Sequence, residues 1–112
     1  GIIPGNATKF ITTDGSKVPH TGWNSIELPR GEKSESWNDN ILSGINPGKD
    51  FYFVHSFKVK VTQNNCNIAE TIYGGVKFSS IIQNGNVYGC QFHPEKSGLI
   101  GQKFLENFIN IA

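Results

Sequence analysis

The strongest pattern in the sequence is an alternation of side-chain character between residues 50 and 62. Successive side chains of a β-strand point to opposite faces, so residues two apart share a face. One face of this segment is almost entirely apolar: Phe51, Phe53, His55, Phe57, Val59 and Val61. The other face changes from Tyr52 and Val54 to Lys58 and Lys60. The pattern predicts a single strand that is buried on both faces in its first half and reaches solvent in its second half.

Shorter apolar stretches predict five further strands, at residues 9–12, 23–28, 68–72, 76–82 and 87–93. Two of the segments between them, Gly74-Gly75 and Asn84-Gly85, contain residues that tolerate positive φ. Such residues favour tight two-residue turns between antiparallel strands. The sequence therefore predicts two successive β-hairpins.

Near the C-terminus the spacing between apolar residues changes from two to about four. Pro94 marks the end of the preceding strand, and we expect the Ser97 hydroxyl to accept an amide hydrogen bond from the first helical turn. The residues that follow have the spacing of an amphipathic helix face: Ile100, Phe104 and Phe108, flanked by Leu105, Ile109 and Ala112. A strand, a sharp turn and a helix are thus predicted in succession.

Length and charge narrow the class of protein. A chain of 112 residues makes one domain at most. Ten basic and nine acidic side chains give a net charge of +1, without the excess that binding to nucleic acid or anionic lipid requires. No apolar run approaches the roughly 20 residues of a membrane span, and the N-terminus has no signal-peptide pattern. We expect a soluble, cytoplasmic protein with a small or neutral ligand.

The histidines and cysteines do not suggest a metal site or a disulfide. His20, His55 and His93 are more than thirty residues apart and fit no known ligand spacing, so we expect no metal and no cofactor. Cys66 lies in a polar run typical of a turn, and without a Cys-x-x-Cys pair we expect free thiols. Strand parity places Cys90 on the face opposite His93, as a buried core cysteine.

His93 and Glu95 are the candidate catalytic residues. Residues two apart in an extended segment lie on one side, and the intervening Pro94 biases His93 towards an extended conformation. We expect a hydrogen bond of roughly 2.6 to 3.2 Å between the two side chains. The carboxylate would fix the imidazole tautomer and stabilise the imidazolium, which makes the histidine a general base. The alternative is an exposed strand end whose two polar residues face water.

Three other aromatic residues have structural interpretations. His55 shares an apolar face with Phe53 and Phe57, which favours a hydrogen-bonded core histidine. Trp23 and Trp37 are ambiguous, although large aromatic side chains occur more often in the core than at an interface.

Three segments resemble known proteins. The segment Gly89-Cys90-Gln91-Phe92-His93-Pro94-Glu95-Lys96-Ser97 resembles the motif that carries the catalytic histidine and glutamate of class I glutamine amidotransferases. Two more look like stretches of the glutaminase subunit of imidazole glycerol phosphate synthase: Pro19-His20-Thr21-Gly22-Trp23-Asn24 and Phe51-Tyr52-Phe53-Val54-His55-Ser56-Phe57. The chain departs from the usual pattern at Thr21, Phe57 and Cys90, where methionine, tyrosine, and valine or threonine are usual.

The resemblance implies that residues 1–112 form the C-terminal portion of a type 1 glutamine amidotransferase domain. The implied class is α/β, a mixed sheet with β-hairpins and a C-terminal amphipathic helix, within a family fold built around a mostly parallel sheet. In the family, the nucleophilic cysteine lies on an elbow in the N-terminal half, for which this chain has no counterpart. Its opening residues 1–5 look like the stretch that follows the elbow, and the chain has no methionine, which favours a fragment.

The resemblance also implies a reaction, glutamine hydrolysis to glutamate and ammonia. Ammonia would pass to a (β/α)8 cyclase partner that makes imidazole glycerol phosphate in histidine biosynthesis. By match to the motif, His93 is the acid and base and Glu95 orients it. The weaker transfers are Ser56 and Phe57 beside bound glutamine, and Tyr52, Lys96 and Trp23 facing the partner. Without the nucleophile, the chain is expected to be inactive until it is joined to the N-terminal half of its domain.

Three alternatives stay open from sequence. One is a paralogous amidotransferase that supplies ammonia to surface-sugar biosynthesis. Another is a non-catalytic fragment kept for partner binding. The third is an unrelated cysteine hydrolase that uses Cys90 or Cys66.

Overall fold

A computed structural model describes residues 3–111. Its strands are, in chain order, β1 Gly5–Lys9, β2 His20–Ser25, β3 Asp50–His55, β4 Phe57–Val61, β5 Asn67–Tyr73, β6 Val76–Asn84 and β7 Val87–Cys90. One α-helix, α1, spans Gly98–Ile111 within the described residues. Short 3-10 turns occur at Ser34–Trp37, Asn64–Cys66 and Pro94–Lys96. The strands pair antiparallel in three sheets, β1 with β4, β2 with β3, and β5 with β6 and β7.

The two predicted hairpins are confirmed. β5 and β6 are joined by Gly74 and Gly75, with φ of 59° and 77°, and Gly85 with φ of 62° begins the turn between β6 and β7. These positive φ values are accessible to glycine at no steric cost, which is why the turn residues marked the hairpins in the sequence.

The single strand predicted over residues 50–62 is wrong, because the chain breaks at Ser56 into β3 and β4. β3 pairs with β2, which places His55 opposite His20. β4 instead pairs with β1, which places Phe57 opposite Lys9. The alternation of side chains continues across the break, so the sequence pattern gives no sign that the pairing partner changes.

This change of partner alters burial along the segment. Phe51 and Phe53 are fully buried, as expected, but Phe57 is 57% exposed. The prediction of burial on both faces of the first half is also wrong, since Val54 is exposed and Tyr52 is only half-buried. β3 therefore has one core face and one outer face.

Other strand boundaries differ where buried residues lie outside strands. β1 ends at Lys9, where the predicted strand began. β2 lies three residues nearer the N-terminus than predicted, and β7 begins where predicted but ends three residues earlier. Phe10 and Ile26 are fully buried although neither belongs to a strand. A loop residue packed into the core gives the same apolar signal as a strand residue, which explains the shift.

The core is rich in aromatic rings that join the sheets to α1. Its buried members are Phe10, Ile26, Trp37, Ile41, Leu42, Ile45, Phe51, Phe53, Ala69, Phe78, Ile81, Phe92 and Phe104. Trp37 is 2% exposed and its Nε1 donates to the Ile68 carbonyl at 2.9 Å. The ambiguity left by the sequence is thus resolved differently for the two tryptophans: Trp37 lies in the core, whereas Trp23 is 56% exposed.

α1 buries Gly101, Phe104 and Asn107, a narrower face than predicted. The Asn107 amide donates from Nδ2 to the carbonyls of Ile41 at 2.9 Å and Ser43 at 2.7 Å. These two bonds fix the segment 41–43 to the helix. The remaining residues of the predicted face, Leu105, Phe108 and Ile109, are exposed, and Ala112 lies outside the described residues. Among residues 3–111, no helix combines the length and apolar character needed to cross a membrane.

Candidate active site

The segment that carries the candidate residues is anchored by Phe92. This ring is buried, with its centroid 4.3 Å from that of Phe51 and 5.1 Å from that of Phe104. Burying an aromatic ring stabilises a fold by about 2 to 3 kcal/mol. The next residue, His93, leaves the core and donates its backbone N–H to the Tyr52 carbonyl at 2.9 Å. The segment is therefore fixed to β3 where His93 reaches the surface.

A buried hydroxyl holds the other side of the His93 backbone. Ser97 Oγ donates to the His93 carbonyl at 2.7 Å and accepts the Tyr52 N–H at 2.9 Å. The predicted helix-capping role of this serine is thus wrong, because its hydroxyl binds two backbone groups outside α1. Leaving either group buried without a partner would cost about 1 to 3 kcal/mol, so Ser97 fixes where His93 lies.

Close packing of α1 against the Pro94–Lys96 turn further restrains the backbone of the segment that carries His93. A Cβ on Gly101 would meet the Pro94 carbonyl oxygen well inside contact distance, and Ser97 Cβ at 2.8 Å. Only glycine lets the helix backbone approach the turn this closely. This role could not be predicted from the sequence, because an isolated glycine in a helical pattern has no local signature.

His93 and Glu95 are within hydrogen-bond distance. His93 Nδ1 lies 3.1 Å from Glu95 Oε1, inside the expected range. The side chains are 39% and 56% exposed, so a substrate can reach the ring. A carboxylate only accepts, so the bond requires a proton on Nδ1 and leaves Nε2 as the free proton acceptor. The pair therefore has the geometry of a general base with its orienting carboxylate.

The two cysteines lie apart from this pair. Cys90 is exposed and not a core residue as predicted, because β7 is the edge strand of its sheet in the described structure. Its thiol donates to the Phe92 carbonyl at 3.5 Å, and no hydrogen bond among residues 3–111 joins it to the His93 ring. Although the residue as a whole is exposed, its thiol is part-buried against the Phe92 carbonyl, and this desolvation, with a smaller contribution from the Glu95 charge, raises the pKa of the Cys90 thiol to about 11. Cys66 is buried in its turn, as a free thiol.

His55 is hydrogen-bonded, as predicted, but it is half-buried and not a core residue, and its partner His20 was missed. His55 Nδ1 lies 2.7 Å from the Phe57 carbonyl, and its Nε2 lies 2.9 Å from Nδ1 of His20, which is 2% exposed. Burial, and then the neighbouring His55, lower the pKa of His20 to about 4. Burial also lowers the pKa of His55, the Phe57 carbonyl opposes this, and His93 adds a smaller lowering. The two sites are linked through β3, which contains both His55 and Tyr52, whose carbonyl accepts the His93 N–H.

The remaining candidate residues fall in two places. Ser56 and Phe57 form the break between β3 and β4, adjacent to His55. Trp23 and Tyr52 are opposite each other in β2 and β3, with ring centroids 5.9 Å apart.

Lys96 is exposed at the end of the turn that carries Glu95. Through its backbone, Tyr52 contacts both His93 and Ser97, so the outer face of β3 is joined to the candidate catalytic segment. Among residues 3–111, no three His, Cys, Asp or Glu side chains form a group suited to a metal ion.

Comparison with known proteins gives a consistent match. The family model described as glutamine amidotransferase class-I matches residues 6–112. Imidazole glycerol phosphate synthase subunit HisH 1 of Legionella pneumophila (strain Lens) is 42% identical over 99% of this chain and 53% of its own length. Subunit HisH of Methanocaldococcus jannaschii is 42% identical over 99% of this chain and 51% of its own length. The chain therefore spans about half the length of the curated relatives it matches.

Proposed function

This chain belongs to the glutamine amidotransferase class-I family, and from that premise we propose that it supplies the catalytic histidine and carboxylate of a glutaminase. The observation that carries the proposal is the His93–Glu95 contact of 3.1 Å on a backbone held by Tyr52 and Ser97. Residues 1–112 would form the C-terminal portion of a domain whose N-terminal half contributes the nucleophilic cysteine. We call the two halves together the complete domain.

The proposed chemistry follows from the free Nε2 of His93. This nitrogen takes the proton of the nucleophilic thiol, and the thiolate attacks the amide carbon of glutamine. The imidazolium gives that proton to the leaving nitrogen, so ammonia departs and a thioester remains. His93 then takes a proton from water, which attacks the thioester carbon, and returns it to the sulfur as glutamate leaves. Glu95 balances the imidazolium charge in both steps.

Substrate and partner are proposed from the placement of the remaining residues. Ser56 and Phe57 would contact glutamine, since they follow His55 at the end of β3, the strand whose Tyr52 binds the His93 backbone. Trp23, Tyr52 and Lys96 would face a (β/α)8 cyclase that takes up the ammonia in histidine biosynthesis. The curated relatives support this assignment, because both are named as imidazole glycerol phosphate synthase subunits. Supply of ammonia to surface-sugar biosynthesis is the alternative at the same site.

We expect this chain alone to release no glutamate from glutamine. The physical reason is that Cys90, with its thiol pKa raised to about 11, has almost no thiolate at neutral pH. Glutamate release by the chain, by its Cys90→Ser variant and by the complete domain tests the proposal. Turnover by the chain that Cys90→Ser abolishes would favour a cysteine hydrolase, and an inactive complete domain would favour a non-catalytic fragment.

Replacing Lys96 tests the partner surface. In the complete domain, Lys96→Ala should weaken cyclase affinity by up to about fivefold, the scale of an exposed ion pair of about 1 kcal/mol. Glutamine hydrolysis without cyclase should change less. Lys103→Ala is the matched control, since Lys103 is also exposed but lies on α1. Equal affinities of the Lys96 variant and the control, measured by calorimetry, would contradict the proposed surface.

A further inference from the structure

A directional chain of hydrogen bonds runs through the buried side of the β2–β3 pair. Asn24 Nδ2 lies 3.3 Å from His20 Nε2, and His20 Nδ1 lies 2.9 Å from His55 Nε2. His55 Nδ1 lies 2.7 Å from the Phe57 carbonyl oxygen. Asn24, near the end of β2, is thus connected through His20 and His55 to Phe57, the first residue of β4.

The chemistry of the end group fixes every proton in this chain. A carbonyl oxygen only accepts, so His55 Nδ1 carries the proton and, in the neutral ring, His55 Nε2 is an acceptor. His20 must therefore donate from Nδ1, which leaves His20 Nε2 to accept from Asn24. The orientation of the Asn24 amide agrees, since Nδ2 also donates to the Ile72 carbonyl at 2.9 Å and Oδ1 accepts the Ser25 N–H at 2.8 Å.

Packing holds the rings of this chain in place. His20 stacks between Tyr73, with centroids 4.0 Å apart and planes 18° apart, and Phe53, with centroids 4.9 Å apart and planes 20° apart. A ring confined in this way cannot turn to present another nitrogen without separating from both neighbours. The arrangement therefore sets the direction of the His55 N–H that points at Phe57.

The chain of bonds ends on the segment that we propose binds glutamine. Of the two carbonyls at the break, that of Ser56 accepts the Phe10 N–H at 2.8 Å and that of Phe57 accepts His55 Nδ1. We infer that His20 and His55 are positioning residues, which orient the Ser56–Phe57 segment for glutamine through the Phe57 carbonyl. The inference rests on the proposed function, and it assigns roles to two histidines that the proton transfers do not use.

Tautomers measured by NMR in this chain give the first test. Long-range ¹⁵N–¹H correlations should show both His20 and His55 protonated on Nδ1 at pH 7. Asn24→Ala removes the donor to His20 Nε2 without altering a core residue, and His20 should stay protonated on Nδ1, because His55 Nε2 still requires a donor there. Protonation of His55 on Nε2 in the unmodified chain would overturn the inference.

Glutamine kinetics in the complete domain give the second test. His20→Gln can still accept from Asn24 and donate to His55, whereas His20→Phe keeps the ring stacking but removes both hydrogen bonds. We expect His20→Phe to raise KM for glutamine about threefold to tenfold, the scale of one lost hydrogen bond. We expect kcat to change less than about twofold, and His20→Gln to restore KM. If His20→Phe does not fold, His55→Phe takes its place in the assay, because it removes the bond to the Phe57 carbonyl and should raise KM likewise.

The outcomes separate the two proposals. Unchanged KM in His20→Phe, or equal losses in the Phe and Gln variants, would overturn the positioning role while leaving the proposed glutaminase intact. An unmodified complete domain without glutaminase activity would overturn both, even where the tautomers are as expected.

Discussion

Replacing His93 by alanine in the complete domain is expected to lower glutaminase turnover by about 10³-fold or more. The proposed mechanism uses the His93 ring twice, to activate the thiol and then water, and general acid–base catalysis contributes roughly 10² to 10⁴ per positioned group. Folding should be retained, because the His93 side chain is on the surface and its backbone bonds to Tyr52 and Ser97 do not need the ring. Steady-state glutamate release and circular dichroism measure the two effects.

Glu95→Gln should lower turnover less, by about 10 to 10²-fold. The amide can still meet the ring but carries no charge to balance the imidazolium, and exposure of Glu95 lets water screen part of that charge. Cys90→Ser serves as the control and should leave turnover unchanged, because its thiol binds the Phe92 carbonyl and takes no part in the proposed proton transfers. Turnover in His93→Ala equal to that of the unmodified domain would contradict the role of this residue.

Acidification from pH 7 to pH 4 is expected to lower the free energy of unfolding by about 3 kcal/mol through His20 alone. The pKa of His20 falls from 6.5 in the unfolded chain to about 4 in the fold, and each unit corresponds to about 1.36 kcal/mol. Between these values the unfolded state binds more protons, so stability is present above pH 6.5 and is lost as pH falls towards 4. The lowered pKa of His55 acts in the same direction.

Urea denaturation at several pH values, followed by circular dichroism, measures this loss. Carboxyl groups, with ordinary pKa values near 4, also begin to take up protons at the acid end of this range, so the unmodified chain alone does not isolate the histidine. His20→Gln supplies the comparison, since glutamine does not titrate. Parallel pH dependences for the chain and the variant would show that His20 is not the buried neutral group described here.

Local sequence chemistry predicted several elements of this structure correctly. The hairpins followed from glycines at the turns, and the His93–Glu95 contact followed from two residues separated by proline in an extended segment. The hairpins and this contact depend only on residues that are close together in the sequence, and the backbone preferences of those residues determine the local geometry. The same information could not reveal the break at Ser56. There the pairing partner changes from β2 to β1, and β1 lies more than forty residues from β4 in the chain.

The residues that the sequence did not reveal act through distant contacts. Ser97 has the position of a helix cap, yet its hydroxyl binds the backbone of β3. His20 looked isolated, because the antiparallel register of β2 and β3 brings it opposite His55 only in the fold. Gly101 matters through the Pro94 carbonyl. Each role depends on which segments meet, and nothing in a local pattern specifies that.

The contrast between the two tryptophans gives the molecule two separable optical reporters. Indole fluorescence shifts to longer wavelength and is quenched by iodide where water reaches the ring. Trp37, 2% exposed and bonded to the Ile68 carbonyl, reports the integrity of the core, whereas Trp23, 56% exposed beside Tyr52, reports the outer face of β2 and β3. A ligand that covers that face would alter one emission component and leave the other unchanged, so binding and unfolding can be followed separately without an added label.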